Sequence, residues 1–261
     1  MMVAALEKLG GGLTVGSKAV SEFIVLVAET MSEMLRPPFR WRDWLRQLHF
    51  VANQSLPIVL FCVCFAAMVT ILESSFHMKM VIQNDSMVPG FASMLILREL
   101  AAVVTALLLT SRVGAGMTAE VGTMKITEQI EALQMLGIRP VQFLVVPRLI
   151  ACVLGATILT LLASLVCLWA AQLVSEFYLG FTPALFLTAM RRFVSFQDLL
   201  FAGIKGACFG AVIPLVSCYF GFRCQSGAEG VGAATTRSVV TSSVAIIVID
   251  FVLSFLFSFT Y

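Results

Sequence analysis

The sequence predicts an all-α integral membrane protein, with an N-terminal interfacial amphipathic helix, five transmembrane helices and a short cytoplasmic helix between spans two and three. Three observations carry this. Of 261 residues, 59% are hydrophobic and 12% charged, about half the charged share of a soluble domain. Mean hydropathy is +0.97. Five stretches are long and apolar enough to cross a bilayer core, which takes about 20 helical residues. A water-soluble globule of this size could not bury so much apolar side chain. A disordered chain and a secreted disulfide scaffold are excluded on the same grounds. With 17 basic against 15 acidic residues, a net charge of +2 also excludes nucleic acid as a partner.

The N-terminal element comes first. Val15 to Leu35 sets Val20, Phe23, Ile24, Val27, Met31 and Met34 against Lys18, Glu22, Glu29 and Glu33 at helical spacing. This is an amphipathic helix for a membrane surface or a partner helix, ended by Pro37 and Pro38. No cleaved leader is expected from its residue pattern. Arg36, Arg40, Arg42 and Arg46, interleaved with Trp41 and Trp44, read as an interfacial anchor. Residues 1–46 therefore form one unit and 47–261 the five-span unit.

Spans one and three, Gln47 to Leu72 and Leu149 to Ser175, contain no Asp, Glu, Lys or Arg. The others carry charges inside an otherwise apolar run. Ser86 to Ser111 holds Arg98-Glu99, Leu199 to Phe222 holds Lys205, and Ser238 to Tyr261 holds Asp250. With a cytoplasmic N-terminus, the inside segments 1–46, 112–148 and 223–237 collect twelve Lys or Arg. The outside loops collect only Lys79, Arg191 and Arg192. Basic residues favour the cytoplasmic side, so the N-terminus is expected inside and the C-terminus outside.

An ionisable residue at a spanning-helix centre costs about 2.5–3.5 kcal/mol on insertion scales unless paired or wetted. At 1.5 Å per residue, Arg98 is expected about 15 Å below the outer surface, Asp250 about 16 Å and Lys205 about 9 Å. Two cations and two anions then share one zone. They suggest a polar cavity opening outward, with Lys205 and Asp250 as partners.

Between spans two and three, Gly114, Gly116 and Gly122 are expected to break the helix leaving the membrane. Thr123 would cap a new helix from about Met124, with Gly137 just past its end and Pro140 beyond. Ile126, Ile130 and Leu133 give its apolar stripe, while Lys125, Glu128, Gln129 and Glu131 face elsewhere. A helix lying on lipid usually carries Lys and Arg on its polar face. This face is mostly acidic or neutral, which favours docking to a cytoplasmic protein.

Between spans four and five, Gly227, Gly230 and Gly232 suggest a flexible loop, with Thr235 or Thr236 capping span five. Gly206-Ala-Cys-Phe-Gly210 offers a close helix contact, within the chain or across a dimer. Gly11-Gly-Leu-Thr-Val-Gly-Ser-Lys18 mimics a phosphate-binding loop but reverses its last two residues. With no nucleotide-hydrolysing motif here, ATP and Mg in any ATP-driven process would belong to a separate ATPase subunit. Six of the seven cysteines lie in apolar runs and read as small fillers, and no metal site is expected.

Leu97-Arg-Glu-Leu100, the run from Arg112 through Glu120-Val-Gly-Thr-Met124 to Thr127-Glu-Gln-Ile-Glu-Ala-Leu133, and Gly227-Ala-Glu-Gly-Val-Gly-Ala-Ala-Thr-Thr-Arg-Ser-Val-Val240 followed by Asp250 resemble the MlaE-type permease family. These are membrane subunits of ABC transporters that work with MCE-domain proteins to move lipid between bacterial inner and outer membranes. The resemblance implies a homodimer in the inner membrane, a cytoplasmic ATPase partner, an MCE-domain periplasmic partner and an outward-open lipid cavity at the dimer interface. It puts ATPase coupling on segment 112–140, with Glu120, Thr123, Lys125, Glu128, Gln129 and Glu131 as its residues. It puts the lipid cavity on Arg98, Glu99, Lys205 and Asp250. Many members have Gly-Pro after Arg-Glu-Leu; Ala101-Ala102 stands here, so a straighter span two is expected.

Two other classes are open to the residues. A proton-coupled transporter of an amphiphile would use Lys205 and Asp250 as a relay but typically shows an internal repeat, and five spans do not halve. An intramembrane enzyme would use Glu99 or Asp250 as acid or base, yet no Ser, Cys or His stands near them at catalytic spacing.

Overall fold

The computed structural model describes residues 2–36, 41–81, 87–225 and 227–259, the side chains of 2–17, 41, 79 and 81 excepted. Pro37, Pro38 and Arg40, expected to close the first helix and anchor it, lie outside the described residues, as does loop segment 82–86. The described chain is helical throughout: α1 (Met2–Met34), α2 (Trp41–Leu48), α3 (Leu56–Val81), α4 (Val88–Leu95), α5 (Ala101–Leu109), α6 (Ala115–Ile126), α7 (Gln129–Met135), α8 (Val146–Phe177), α9 (Pro183–Phe193), α10 (Phe196–Phe222) and α11 (Ala228–Ser258). Five helical stretches are long and apolar enough to cross a membrane: Arg42–Met78, Val88–Ile126, Val141–Phe177, Phe196–Phe222 and Ala228–Ser258. The all-α, five-span architecture read from the sequence is the one observed.

The spans are longer than apolar runs alone suggest, and two of them run on through glycines. Span two continues through Gly114, Gly116 and Gly122 to Ile126 rather than breaking. Span five starts at Ala228 and keeps Gly230 and Gly232 inside the helix. The Thr235 and Thr236 hydroxyls donate to the Val231 and Gly232 carbonyls one turn back instead of capping. Glycine costs about 1 kcal/mol in a helix but admits close neighbours. A Cβ on Gly114 would press on Ser217 and Ile213 of α10.

Span three is the hub, with α8 packing along both α3 and α10. Its buried face runs through Cys152, Ala156, Leu159, Ala163, Cys167 and Ala170, spaced three or four apart. In a bilayer, apolar burial drives helix association weakly, so small residues and interhelical hydrogen bonds hold the bundle. The Cys167 thiol donates to the Val63 carbonyl at 3.3 Å, and Thr118 donates to Ser238 at 2.9 Å, joining spans two and five. All seven cysteines are free.

Gly206 and Gly210 form their close contact within the chain. A Cβ on Gly210 would fall 2.5 Å from the Cys152 carbonyl oxygen, and one on Gly206 2.8 Å from Thr160 Oγ1. Gly210→Val is expected to cost at least about 1–3 kcal/mol by wedging spans three and four apart. Gly203→Val is the matched control, since its nearest contact is 3.7 Å away. Thermal unfolding in detergent checks this, with the Gly210 variant melting well below the control.

Helix α1 lies against the ends of other helices and is longer than the expected Val15–Leu35. Gly11–Lys18 is helical backbone within it. Leu26, Thr30 and Glu33 are buried along one stripe, while Val20, Ile24 and Met31 are more than half exposed. Glu33 therefore leaves the polar face assigned to it. Tyr219 donates to the Ala19 carbonyl at 3.1 Å, and Phe23 packs edge-on against its ring. Arg223 lies over the same ring and pairs with Glu22.

Helix α9, which the sequence reading left as loop, begins at Thr182, whose hydroxyl accepts from the Leu185 amide. It packs on α4, where Gly90 faces Phe193 and Ala189. Of α11, only Ala234, Ser238, Ser242 and Ile246 are buried. Most of the helix is exposed or half-buried, with Ile249 and Leu253 packed on the core.

Candidate functional site: a buried charge cluster and a docking segment

The charges in spans two, four and five converge. Arg98 and Glu99 stand on a wide five-residue π turn, Ile96–Leu100, just before Ala101-Ala102. Counted from the ends of their helices at Val88, Phe196 and Ser258, Arg98, Lys205 and Asp250 are ten, nine and eight residues in. These are depths of about 15, 13 and 12 Å. The three levels agree more closely than the expected span limits implied.

Lys205 is the centre, with its side chain fully buried. Its Nζ donates to the Arg98 carbonyl at 2.9 Å, Glu99 Oε2 at 2.8 Å and Ser254 Oγ at 2.8 Å. Three N–H groups are thus satisfied. Asp250 Oδ1 lies 2.7 Å away as an ion pair, the partnership expected from depth. The Ser254 hydroxyl in turn donates a hydrogen bond to Glu99 Oε1 at 2.9 Å. The Phe201 ring, 5.2 Å from the ammonium, closes that side and stacks on Phe257 at 3.9 Å.

Arg98 Nε donates to Asp198 Oδ1 at 2.7 Å, and Asp198 is fully buried. The other oxygen, Oδ2, accepts from the Ser195 amide at 2.8 Å and its hydroxyl at 3.2 Å, capping α10. One carboxylate thereby starts span four and holds the Arg98 guanidinium. The cluster is asymmetric in access: Lys205 and Asp198 are sealed, Arg98 and Asp250 are 25% and 18% exposed, and Glu99 is 45% exposed. Glu99 is thus the most exposed member of the cluster.

The other expected site lies at the opposite end of the bundle. The helix break falls at Glu128, which takes left-handed φ 57°, and α7 runs only from Gln129 to Met135. The helix expected from Met124 is therefore shorter and begins later. Thr123 belongs to span two and donates to the Ala119 carbonyl. Gly137, at φ 73°, ends the element as expected. Lys125 and Glu131 pair across the break, and this contact holds the Glu131 carboxyl below its ordinary range. The staple is present at neutral pH and opens as acid protonates Glu131.

Glu128 and Gln129 are exposed, and Met135 and Leu136 beside them are 90% and 75% exposed. Ile130 points inward against Val121, Leu144 and Cys218. Glu120 stands apart from α7 and pairs at 2.8 Å with the buried Arg148 of α8. Glu128→Gly is expected to keep or slightly raise thermal stability, whereas Glu128→Val should lose about 1–2 kcal/mol, because a β-branched residue resists left-handed φ. Melting of both variants in detergent checks this.

Residues 44–256 match the family described as Permease MlaE. The chain belongs to the MlaE permease family. A probable ABC transporter permease protein of Rickettsia conorii is 32% identical over 92% of this chain and 93% of its own length. A probable ABC transporter permease protein of Synechocystis is 35% identical over 88% of each chain. The intermembrane phospholipid transport system permease protein MlaE of Haemophilus influenzae is 32% identical over 80% of each.

In this MlaE-family chain, Arg98, Glu99, Lys205 and Asp250 meet in one network, while Lys125, Glu128, Gln129 and Glu131 gather at α7, with Glu120 and Thr123 one to two turns away on α6. Sequence reasoning missed Asp198 and Ser254. Ser195-x-x-Asp198 is a capping-box pattern, and reading it would have moved the start of span four before Asp198. Ser254 lies one helical turn beyond Asp250, on the same face.

Proposed function

We propose that this chain is the permease subunit of an ATP-driven transporter that moves phospholipid or a related lipid between the bacterial inner and outer membranes. Two copies form the core, and each supplies one wall of an outward-open cavity. The observation that carries this is the charge network around Lys205. A paired set of two cations and three anions, held at one depth by three spans, gives a lipid headgroup polar partners inside the membrane. The exposed apolar residues of α11, among them Ile247, Phe251 and Phe255, suit acyl chains and a second copy. No member of the network has to do covalent chemistry.

ATP and Mg are held by a separate cytoplasmic ATPase, which docks on α7 through Glu128, Gln129 and the exposed Met135 and Leu136. Glu120, Thr123, Lys125 and Glu131 set that segment's geometry. ATP binding there closes the dimer and expels lipid from the cavity, and an MCE-domain protein is the periplasmic partner. The twelve Lys and Arg of segments 1–46, 112–148 and 223–237 support a cytoplasmic N-terminus and a periplasmic C-terminus. Reconstitution with the ATPase and labelled phospholipid tests the reading. Lipid movement should require ATP, and movement driven by a pH gradient without the ATPase would replace it with the proton-coupled alternative.

A further inference from the structure

A second concave site lies at the α7 end of the bundle, away from the Lys205 network. A cavity of about 370 Å³ separates the end of α1 from α2 and the start of span three. Glu33, Arg36 and Arg139 line its polar side, and Met34, Trp44 and Phe143 its apolar side. Both guanidiniums address one atom. Arg36 Nη1 is 3.0 Å from Glu33 Oε1, and Arg139 pairs with the same oxygen. Two cations on one carboxylate leave a net charge of +1.

Access sharpens the polarity. The Glu33 side chain is 9% exposed and its Oε2 is buried, whereas Arg36 and Arg139 are 56% and 58% exposed. An incoming group therefore meets guanidinium N–H donors, with the carboxylate sealed behind them. Each guanidinium carries five such donors in a fork that matches phosphate oxygens. Gln142 donates to the Arg36 carbonyl at 3.1 Å and fixes the end of α1 over the cavity. The apolar wall is continuous with the membrane, since Trp44 lies near the start of span one and Phe143 near the start of span three.

We propose that this cavity binds an anionic phospholipid of the leaflet on the α7 side, its phosphate on Arg36 and Arg139 and the upper part of an acyl chain along Trp44 and Phe143. A zwitterionic lipid fits less well, because its ammonium would face two exposed guanidiniums with the Glu33 carboxylate buried behind them. The bound lipid bridges α1 to the segment after α7, so it would steady the interfacial helix. This site is independent of transport through the Lys205 network and does not rest on it.

Trp44 reports the site directly. In a Trp41→Phe, Trp169→Phe background, the full chain is placed in phosphatidylcholine nanodiscs containing a small fraction of brominated lipid. Brominated phosphatidylglycerol should quench Trp44 with about fivefold higher apparent association than brominated phosphatidylcholine, the effect of one surface cation. Arg36→Gln with Arg139→Gln should abolish that excess, and Arg36→Lys with Arg139→Lys should keep most of it. Arg191→Gln with Arg192→Gln, an equal charge change at the other end of the bundle, should leave it unchanged. Should the double Gln variant not fold, Arg36→Gln alone should still reduce the excess. Equal quenching by the two lipids, or an excess that survives loss of the arginines, overturns the proposal. Removal of the excess by millimolar inorganic phosphate also overturns it, since the occupant would then be the free anion.

Discussion

Lys205→Met is expected to cost about 3–5 kcal/mol of stability and to lower lipid movement at least tenfold. The ammonium has a fully buried side chain and answers Glu99, Asp250, Ser254 and the Arg98 carbonyl at once. Removing one partner of a buried ion pair strands the other charge with little water to replace it, and that stranding dominates the cost. Asp250, 18% exposed, is the group stranded most completely. The double variant Lys205→Met, Asp250→Leu should therefore be more stable than Lys205→Met alone, while transport stays low in both. Thermal unfolding in detergent gives the stability order, and reconstituted transfer gives the activity. A Lys205 single variant that melts and transports like the parent would show that the network is not held together in the way described.

Glu128→Lys combined with Glu131→Lys should uncouple ATP hydrolysis from lipid movement. The exposed face of α7 is acidic or neutral, with Met135 and Leu136 beside it. Reversing two charges in a docking patch places like charges against a partner that had matched them, a penalty of several kcal/mol. Hydrolysis by the ATPase itself should persist, while lipid transfer per ATP falls at least tenfold. Glu131→Gln separates docking from local structure, because it removes the Lys125 staple without adding charge. It should retain most of the coupling. Coupled transport at the parental rate in the Lys double variant would remove α7 as the docking element.

How much was legible in the sequence depends on what kind of signal each residue gave. Apolar runs locate the spans, and helical rise puts Lys205 and Asp250 in one zone, at about 9 and 16 Å, where a charge at membrane depth calls for a partner. Glycine misled the reading. Gly114 and Gly122 read as helix breakers and Gly230 and Gly232 as a flexible loop, yet the helices run through all four; Gly114 and Gly122 meet neighbouring side chains closely, whereas Gly232 has open space around it. The real break chose Glu128, whose side chain carries no turn signal. Asp198 was hidden for another reason: it sits where an apolar count ends, so its partnership with Arg98 across 100 residues left no local trace. Helix α9 was missed because its apolar side, Phe186 and Ala189, is short and is set by packing on α4.

The central claim is that the Lys205 network receives a lipid headgroup within a complex driven by a separate ATPase. Its most direct test is native mass analysis of the assembly purified through this chain, before and after ATP, with Arg98→Ala as the comparison. The account predicts two copies of this chain with an ATPase subunit, carrying phospholipid that leaves on ATP addition and is largely missing in the Arg98 variant. A chain that purifies without an ATPase, or whose bound lipid is indifferent to both ATP and Arg98, would contradict it.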